Sequence, residues 1–168
     1  MKIIQLKTSL AYLLYGCVFI TLSVSAETKQ VSGWVEKVTV GSPEFVMRAK
    51  IDTGAKNSSL HAKDYRIFNK QGKDWVSFSI KNKEGNSQLI EKPIKRITSI
   101  KQKGGRPNRQ RPVIVLGICL GNVYKEEEVN LVDRANFNYP MLVGRSFLKG
   151  SFVVDSEVKL TATPTCKF

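Results

Sequence analysis

The sequence predicts an all-β domain, a barrel or a sandwich, with one short helix near its end. Three observations carry that prediction. Apolar residues recur at every second position through much of the chain after residue 30, the period of a strand with one buried face. Clusters of Gly, Pro and Asn interrupt these runs at short intervals, as turns between strands do. Helical spacing of apolar residues is scarce, and many short strands with turn signals point to closed or stacked β architectures.

The first 26 residues read as a targeting segment. Lys2 and Lys7 flank the start of an apolar run, Leu10 to Ile20, and Thr21 to Ala26 supplies a small-residue cleavage site. The run is too short for a spanning helix, which needs about 20 apolar residues. An uncleaved anchor is the rival reading. Lipidation at Leu14-Tyr-Gly-Cys17 ranks below simple cleavage, because Tyr15 is bulky where a small residue is usual. Residues 27–168 then form a single domain, placed in the periplasm or secreted. Membrane contact would come only through an uncleaved N-terminus or a lipid anchor. Losing Lys2 and Lys7 lowers the formal charge from +13 to +11, a strongly basic balance that favours acidic partners.

The elements follow in order. Val31 to Val40 reads as the first strand, ending at Gly41-Ser42-Pro43. Phe45, Met47, Ala49 and Ile51 alternate with Val46, Arg48 and Lys50, the signature of a half-buried strand. Val76, Phe78 and Ile80 share one side of the next, and Asn82 to Asn86 makes a hairpin turn. Strands are expected near Gln88 to Ile90 and Ile94 to Ile100. Residues 101–110, KQKGGRPNRQ, have no aliphatic side chain and read as a loop. Arg111 to Leu120 is a buried strand, followed by a Gly121-Asn122 turn and a strand from Tyr124 to Asp133. Tyr139 to Leu148 reads as a short strand, a glycine turn and the helix. Phe152 to Asp155 is the last strand.

Several chemistries find no support. The chain has one histidine, His61, and no H-E-x-x-H; Asp52, His61 and Asp64 could converge, but their spacing does not require it. A glycine-rich phosphate cradle is missing, and so is a G-x-S-x-G elbow. Neither Cys119 nor Cys166 sits in a signature that would pair it with His61 as a nucleophile, and there is no C-x-x-C. In an oxidising compartment these two cysteines could form a disulfide. Cys119 lies in an apolar run, so a buried free thiol is an equal alternative.

Asp52 remains. An acid before Thr-Gly at a strand end is ordinarily a turn residue that accepts backbone hydrogen bonds. Here DTGA at Asp52 to Ala55 is followed, in a β-rich chain, by LVGRSFL at Leu142 to Leu148. These two pieces resemble the active-site loop and the closing Gly-Arg motif of retropepsin-like aspartic peptidases. AKIDTGAKNSSLHA, RPVIVLGICLG and YPMLVGRSFLKGSFVVD resemble more closely a bacterial family of that fold that also carries the name ATP-dependent zinc protease. Nothing in these residues supports zinc or ATP, and no cofactor or metal is expected.

The resemblance implies a closed retropepsin-like barrel and an envelope endopeptidase whose water is held between two carboxylates. Asp52, Thr53 and Gly54 would be the catalytic loop, with Ala55 touching substrate and Gly144 and Arg145 supporting the loop. A lid hairpin would lie between Ile94 and Pro112, with Gly104, Gly105 and Arg106 at its tip against the substrate. Eight Lys or Arg and no acid fall between Lys92 and Arg111, so this lid is expected to attract an acidic peptide or protein substrate or an anionic envelope component, with a solvated basic loop as the equal alternative; no nucleic acid is expected. The chain has one Asp-Thr-Gly, so a dyad requires a homodimer. Viral retropepsins carry acids after this loop that pair with the Gly-Arg arginine. Lys56 and Asn57 stand there instead, and Arg145 needs another partner. The competing expectation is a catalytically silent β-barrel that binds an anionic ligand or partner, with Asp52 as a turn residue.

Overall fold

A computed structural model describes residues 28–100, 104 and 107–167. The expected signal peptide, residues 1–26, lies outside them, as do Gly105 and Arg106. Among the described residues the chain forms twelve strands and one helix of four residues, α1 (Arg145–Leu148).

The expected first strand is two. β1 (Gln30–Gly33) pairs in parallel with β12 (Phe152–Asp155), whereas β2 (Val35–Val40) runs antiparallel to β3 (Ser42–Ile51). The chain changes sheet at Trp34. Gly33 permits the change: a Cβ there would sit 2.4 Å from Val158 O, so a side chain would expel the C-terminal segment that crosses it.

Six strands close a barrel. Around it run β3, β11 (Met141–Val143), β4 (Ser58–His61), β10 (Val123–Val132), β9 (Arg109–Leu120) and β2. Closure decides between the barrel and the sandwich. β11 is the unusual member, lying parallel to β3 on one side and antiparallel to β4 on the other. The chain therefore leaves β3, loops through residues 52–57 into β4, and returns some 80 residues later to fill the gap between them. β8 (Arg96–Ile100) continues from β9 as a hairpin whose last pair is Ile100 with Arg109, which confirms the expected hairpin between Ile94 and Pro112. A separate sheet is built from β5 (Arg66–Lys70), β6 (Lys73–Lys81) and β7 (Ser87–Pro93).

The core follows the alternation. Phe45, Met47, Ala49 and Ile51 of β3 are buried, while Arg48 and Lys50 face outward. Val76, Phe78 and Ile80 of β6 turn their buried side to the same cluster as Leu60, Ile114, Leu116, Leu131 and Phe147. Each such side chain contributes roughly 1.5–3 kcal/mol on burial. β4 and β5 were not expected from the sequence. β4 holds Ser58-Ser59-Leu60-His61, with one aliphatic residue, and is a strand because β10 and β11 flank it.

The C-terminal segment after β12 is a strap across β2. Its fixing point is Glu36, fully buried, whose carboxylate accepts hydrogen bonds from Gly33 N, Thr161 N, Thr161 Oγ and Ala162 N at 2.6–3.2 Å. Four donors offset the cost of burying a carboxylate that meets no cation among the described residues. Further along, Thr165 N donates to Gly121 O, and Cys166 is joined to Cys119 across 47 residues, with Cα atoms 6.0 Å apart. The disulfide alternative is the one found. Replacing Cys166 with serine is expected to lower stability by about 2–4 kcal/mol through the freed denatured chain. Thermal unfolding of the two proteins checks this, and an unchanged midpoint would show that the disulfide adds nothing to the strap.

Candidate active site

The Asp52 loop is built from the β3 end, the β4 start and the β11–α1 junction. Asp52 N donates to Val143 O at 2.9 Å, which ties the loop's first residue to β11. The Asp52 side chain, one quarter exposed, accepts through Oδ1 from Gly54 N at 2.9 Å and Ala55 N at 3.2 Å. That is a tight acid turn. It leaves Oδ2 turned outward, 4.0 Å from the half-exposed Lys50 Nζ. Thr53 and Gly54 are exposed.

The Gly-Arg motif meets this loop directly. Arg145 N donates to Ala55 O at 2.9 Å, Ser146 N to Lys56 O at 3.0 Å, and Gly144 N to Ser58 Oγ at 3.1 Å. The Arg145 guanidinium donates through Nη1 to Thr53 O at 2.9 Å and Gly54 O at 2.7 Å. The partner missing from the sequence at Lys56 and Asn57 is thus the loop's own main chain. Gly144 is required for close approach: a Cβ would lie 2.6 Å from Asn57 C and 2.9 Å from Lys56 O. Its φ of −94° is open to any residue, so contact, not conformation, demands the glycine.

This loop, held by a Gly-Arg turn from a strand inserted in a closed six-stranded barrel, is matched by a family model. The RimB-like model, described as the retropepsin-like aspartic endopeptidase RimB, covers residues 31–165. The chain belongs to this RimB-like family. A solved Legionella pneumophila protein of unknown function is 31% identical and superposes with a TM-score of 0.67, over 81% of this chain and all of that one. Two curated relatives carry a different name. A probable alpha-L-glutamate ligase of Shewanella pealeana is 32% identical over 125 residues, and one of Desulfotalea psychrophila 27% over 129. The matches cover 73% and 75% of this chain but 27% of each relative. The RimB-like chain therefore spans about a quarter of the length of these ligase relatives.

Other expected site residues are less concentrated. Gly104 is exposed with φ +77°, at the far end of the β8–β9 hairpin; Gly105 and Arg106 are outside the described residues. His61 does not turn toward a metal set with Asp52 and Asp64. Its Nδ1 accepts from Arg134 N at 2.8 Å and lies 3.7 Å from Asp133 Oδ1.

Arg134 belongs to none of the motifs legible in the sequence. Arg134 is 7% exposed, and its guanidinium donates to Tyr139 O and Ser59 Oγ, both at 3.0 Å. Burial holds its pKa below the usual arginine range, the Asp52 charge raises it in part, and Arg111 lowers it again.

Proposed function

We propose that this chain is one half of an envelope aspartic endopeptidase, completed when Asp52 of two subunits meet across a two-fold axis. The observation that carries the reading is the exposed Thr53-Gly54 beside an Asp52 whose Oδ2 meets no hydrogen-bond donor among the described residues. A loop fastened this firmly yet left open on one side suits a partner with the same loop. Beside it lies a depression of about 770 Å³ that includes Thr53, Arg145, Leu148, Phe152 and Val154. Val31 and Val153, partners in the β1–β12 register, are 62% and 53% exposed. An apolar strand edge next to the loop fits an isologous contact, in which each patch meets its own copy.

The chemistry follows from two carboxylates about 3 Å apart, which cannot both ionise cheaply and so share one proton. The ionised Asp52 takes a proton from water as the water oxygen adds to the scissile carbonyl carbon. The protonated Asp52 of the other subunit gives its proton to the carbonyl oxygen. The diol collapses, the C–N bond breaks and the amine leaves with a proton returned from the pair. Thr53 would hydrogen-bond the opposite loop, and Gly54 would admit the substrate backbone.

The substrate we propose is an acidic peptide, with glutamate the first choice. Two observations support it: the basic β8–β9 hairpin, and relatives that are named probable alpha-L-glutamate ligases. Localisation in the envelope rests on the signal peptide expected at residues 1–26. A second reading, a silent barrel that binds an anionic partner, is favoured by the two turn hydrogen bonds at Asp52 Oδ1. Cleavage of a glutamate-rich peptide tests the first. The rate should be bell-shaped in the acid range, because one carboxylate must be ionised and the other protonated. A peptide carrying a hydroxyl in place of the tetrahedral centre should block it. Cleavage that rises to an alkaline plateau and ignores the mimic would remove the dyad from consideration.

A further inference from the structure

Arg134 is a buried cation with no carboxylate against it among the described residues. Ser59 Oγ and Tyr139 O occupy Nη1 and Nε. The guanidinium carbon stands 4.5 Å from the Phe137 ring centroid, in the range of a cation–π contact. Nη2 makes no hydrogen bond with a described residue. Such a group is unfavourable unless an anion or ordered solvent meets its free edge.

A cavity of about 180 Å³ opens there, lined by Trp34, Lys50, Phe137, Asn138 and Tyr139 with Arg134 itself. Its aromatic walls are set by Trp34 and Tyr139, edge to face with centroids 6.1 Å apart. Lys50 is shared: it lines this cavity and stands 4.0 Å from Asp52 Oδ2. Lys50 thus connects the cavity to the candidate catalytic carboxylate. Aromatic sides accept an aliphatic stem, and two cations accept a carboxylate at its end. Arg134 serving the fold alone would account for the Ser59 and Tyr139 bonds. It would not account for a second cation across the same cavity.

We propose that this cavity is a substrate subsite beside the scissile bond, that it takes a carboxylate-bearing side chain, and that Arg134 is the residue that selects it, with Lys50 as the second cation. The proposal rests on the peptidase reading and deepens it by naming the selecting residues. His61, whose Nδ1 holds the Arg134 main-chain N–H, is a positioning residue for the same group.

The test uses the full dimeric protein and paired peptides that differ only in glutamate or glutamine next to the cleaved bond. Each is made with a free and with an amidated C-terminus. The glutamate peptide is expected to have a kcat/KM about 10- to 100-fold higher, carried mostly by KM, as a charge-assisted bond gives. Arg134→Met should bring that ratio close to one. Lys50→Gln, an exposed position that does not endanger folding, should lower it about threefold. Arg134→Lys, which keeps a charge but not the fork, should retain part of it. If Arg134→Met does not fold, these last two carry the test. A ratio near one in the unaltered protein would overturn the proposal, and so would a ratio indifferent to all three substitutions. A preference that vanishes on C-terminal amidation would also overturn it, by showing that the chain terminus is what is read. If no peptide is cleaved, the same ratio is read as Kd on the Asp52→Asn protein. The peptidase reading then fails by itself, and the subsite stands or falls on that ratio.

Discussion

On the peptidase proposal, replacing Asp52 with asparagine abolishes peptide cleavage, by about a thousandfold or more, and leaves the fold and the proposed dimer intact. The loss follows because general acid–base transfer contributes on the order of 10²–10⁴ in rate, and an amide can neither take the water proton nor give one. The fold should survive for an equally specific reason. Asp52 Oδ1 is an acceptor for Gly54 N and Ala55 N, and the asparagine carbonyl oxygen can accept both bonds. The nearest charge that would lose its partner is Lys50 Nζ, 4.0 Å away and half exposed, where a pair contributes little. Cleavage assays with circular dichroism and sedimentation on the same sample separate the two effects. Retained binding and full activity in this variant would return Asp52 to the role of a turn residue.

Gly144→Ala is expected to be the most damaging small substitution near the site, costing about 3 kcal/mol or more. Its methyl would meet main-chain atoms, Asn57 C and O and Lys56 O at 2.6–2.9 Å, which cannot swing aside as a side chain can. Relief requires residues 56–57 to move away from α1, and that movement stretches the Arg145–Ala55 and Ser146–Lys56 hydrogen bonds. Overpacking of this kind costs about 1–3 kcal/mol, and each net hydrogen bond about 1 kcal/mol. The neighbouring Ser146→Ala is the control. Its Oγ is buried with no hydrogen-bond partner among the described residues, so removing it should be neutral or slightly stabilising. Urea midpoints measured at equal m-value check the pair. A Gly144→Ala protein as stable as Ser146→Ala would mean that the loop is not seated against the turn as described.

Much of the architecture is legible in the sequence because strand faces are written with period two. β3 and β6 are read correctly from their apolar residues, and the hairpin at Asn82–Asn86 from its turn chemistry. Elements set by neighbours rather than composition are not legible. β4 contains two buried serines and becomes a strand because β10 and β11 flank it. The break at Trp34 depends on where Val158 passes. The disulfide joins residues 47 apart, and spacing alone left a free thiol as an equal choice. At the site, the Asp-Thr-Gly and Gly-Arg motifs pointed to the same loop because each carries its own chemistry. Arg134 carried no such signal: its guanidinium hydrogen bonds go to Ser59, 75 residues away, and to a carbonyl at Tyr139. Only the fold brings it beside the loop.

The central claim is that one chain supplies half of a dyad, and mixing wild-type with Asp52→Asn protein tests it most directly. The two are unfolded together, refolded at fixed total concentration and assayed across mixing ratios, so that subunits combine at random. If both Asp52 carboxylates are needed, activity follows the square of the wild-type fraction, and an equal mixture retains about one quarter. Activity proportional to the wild-type fraction, about one half in that mixture, would show that each chain works alone and would contradict the account.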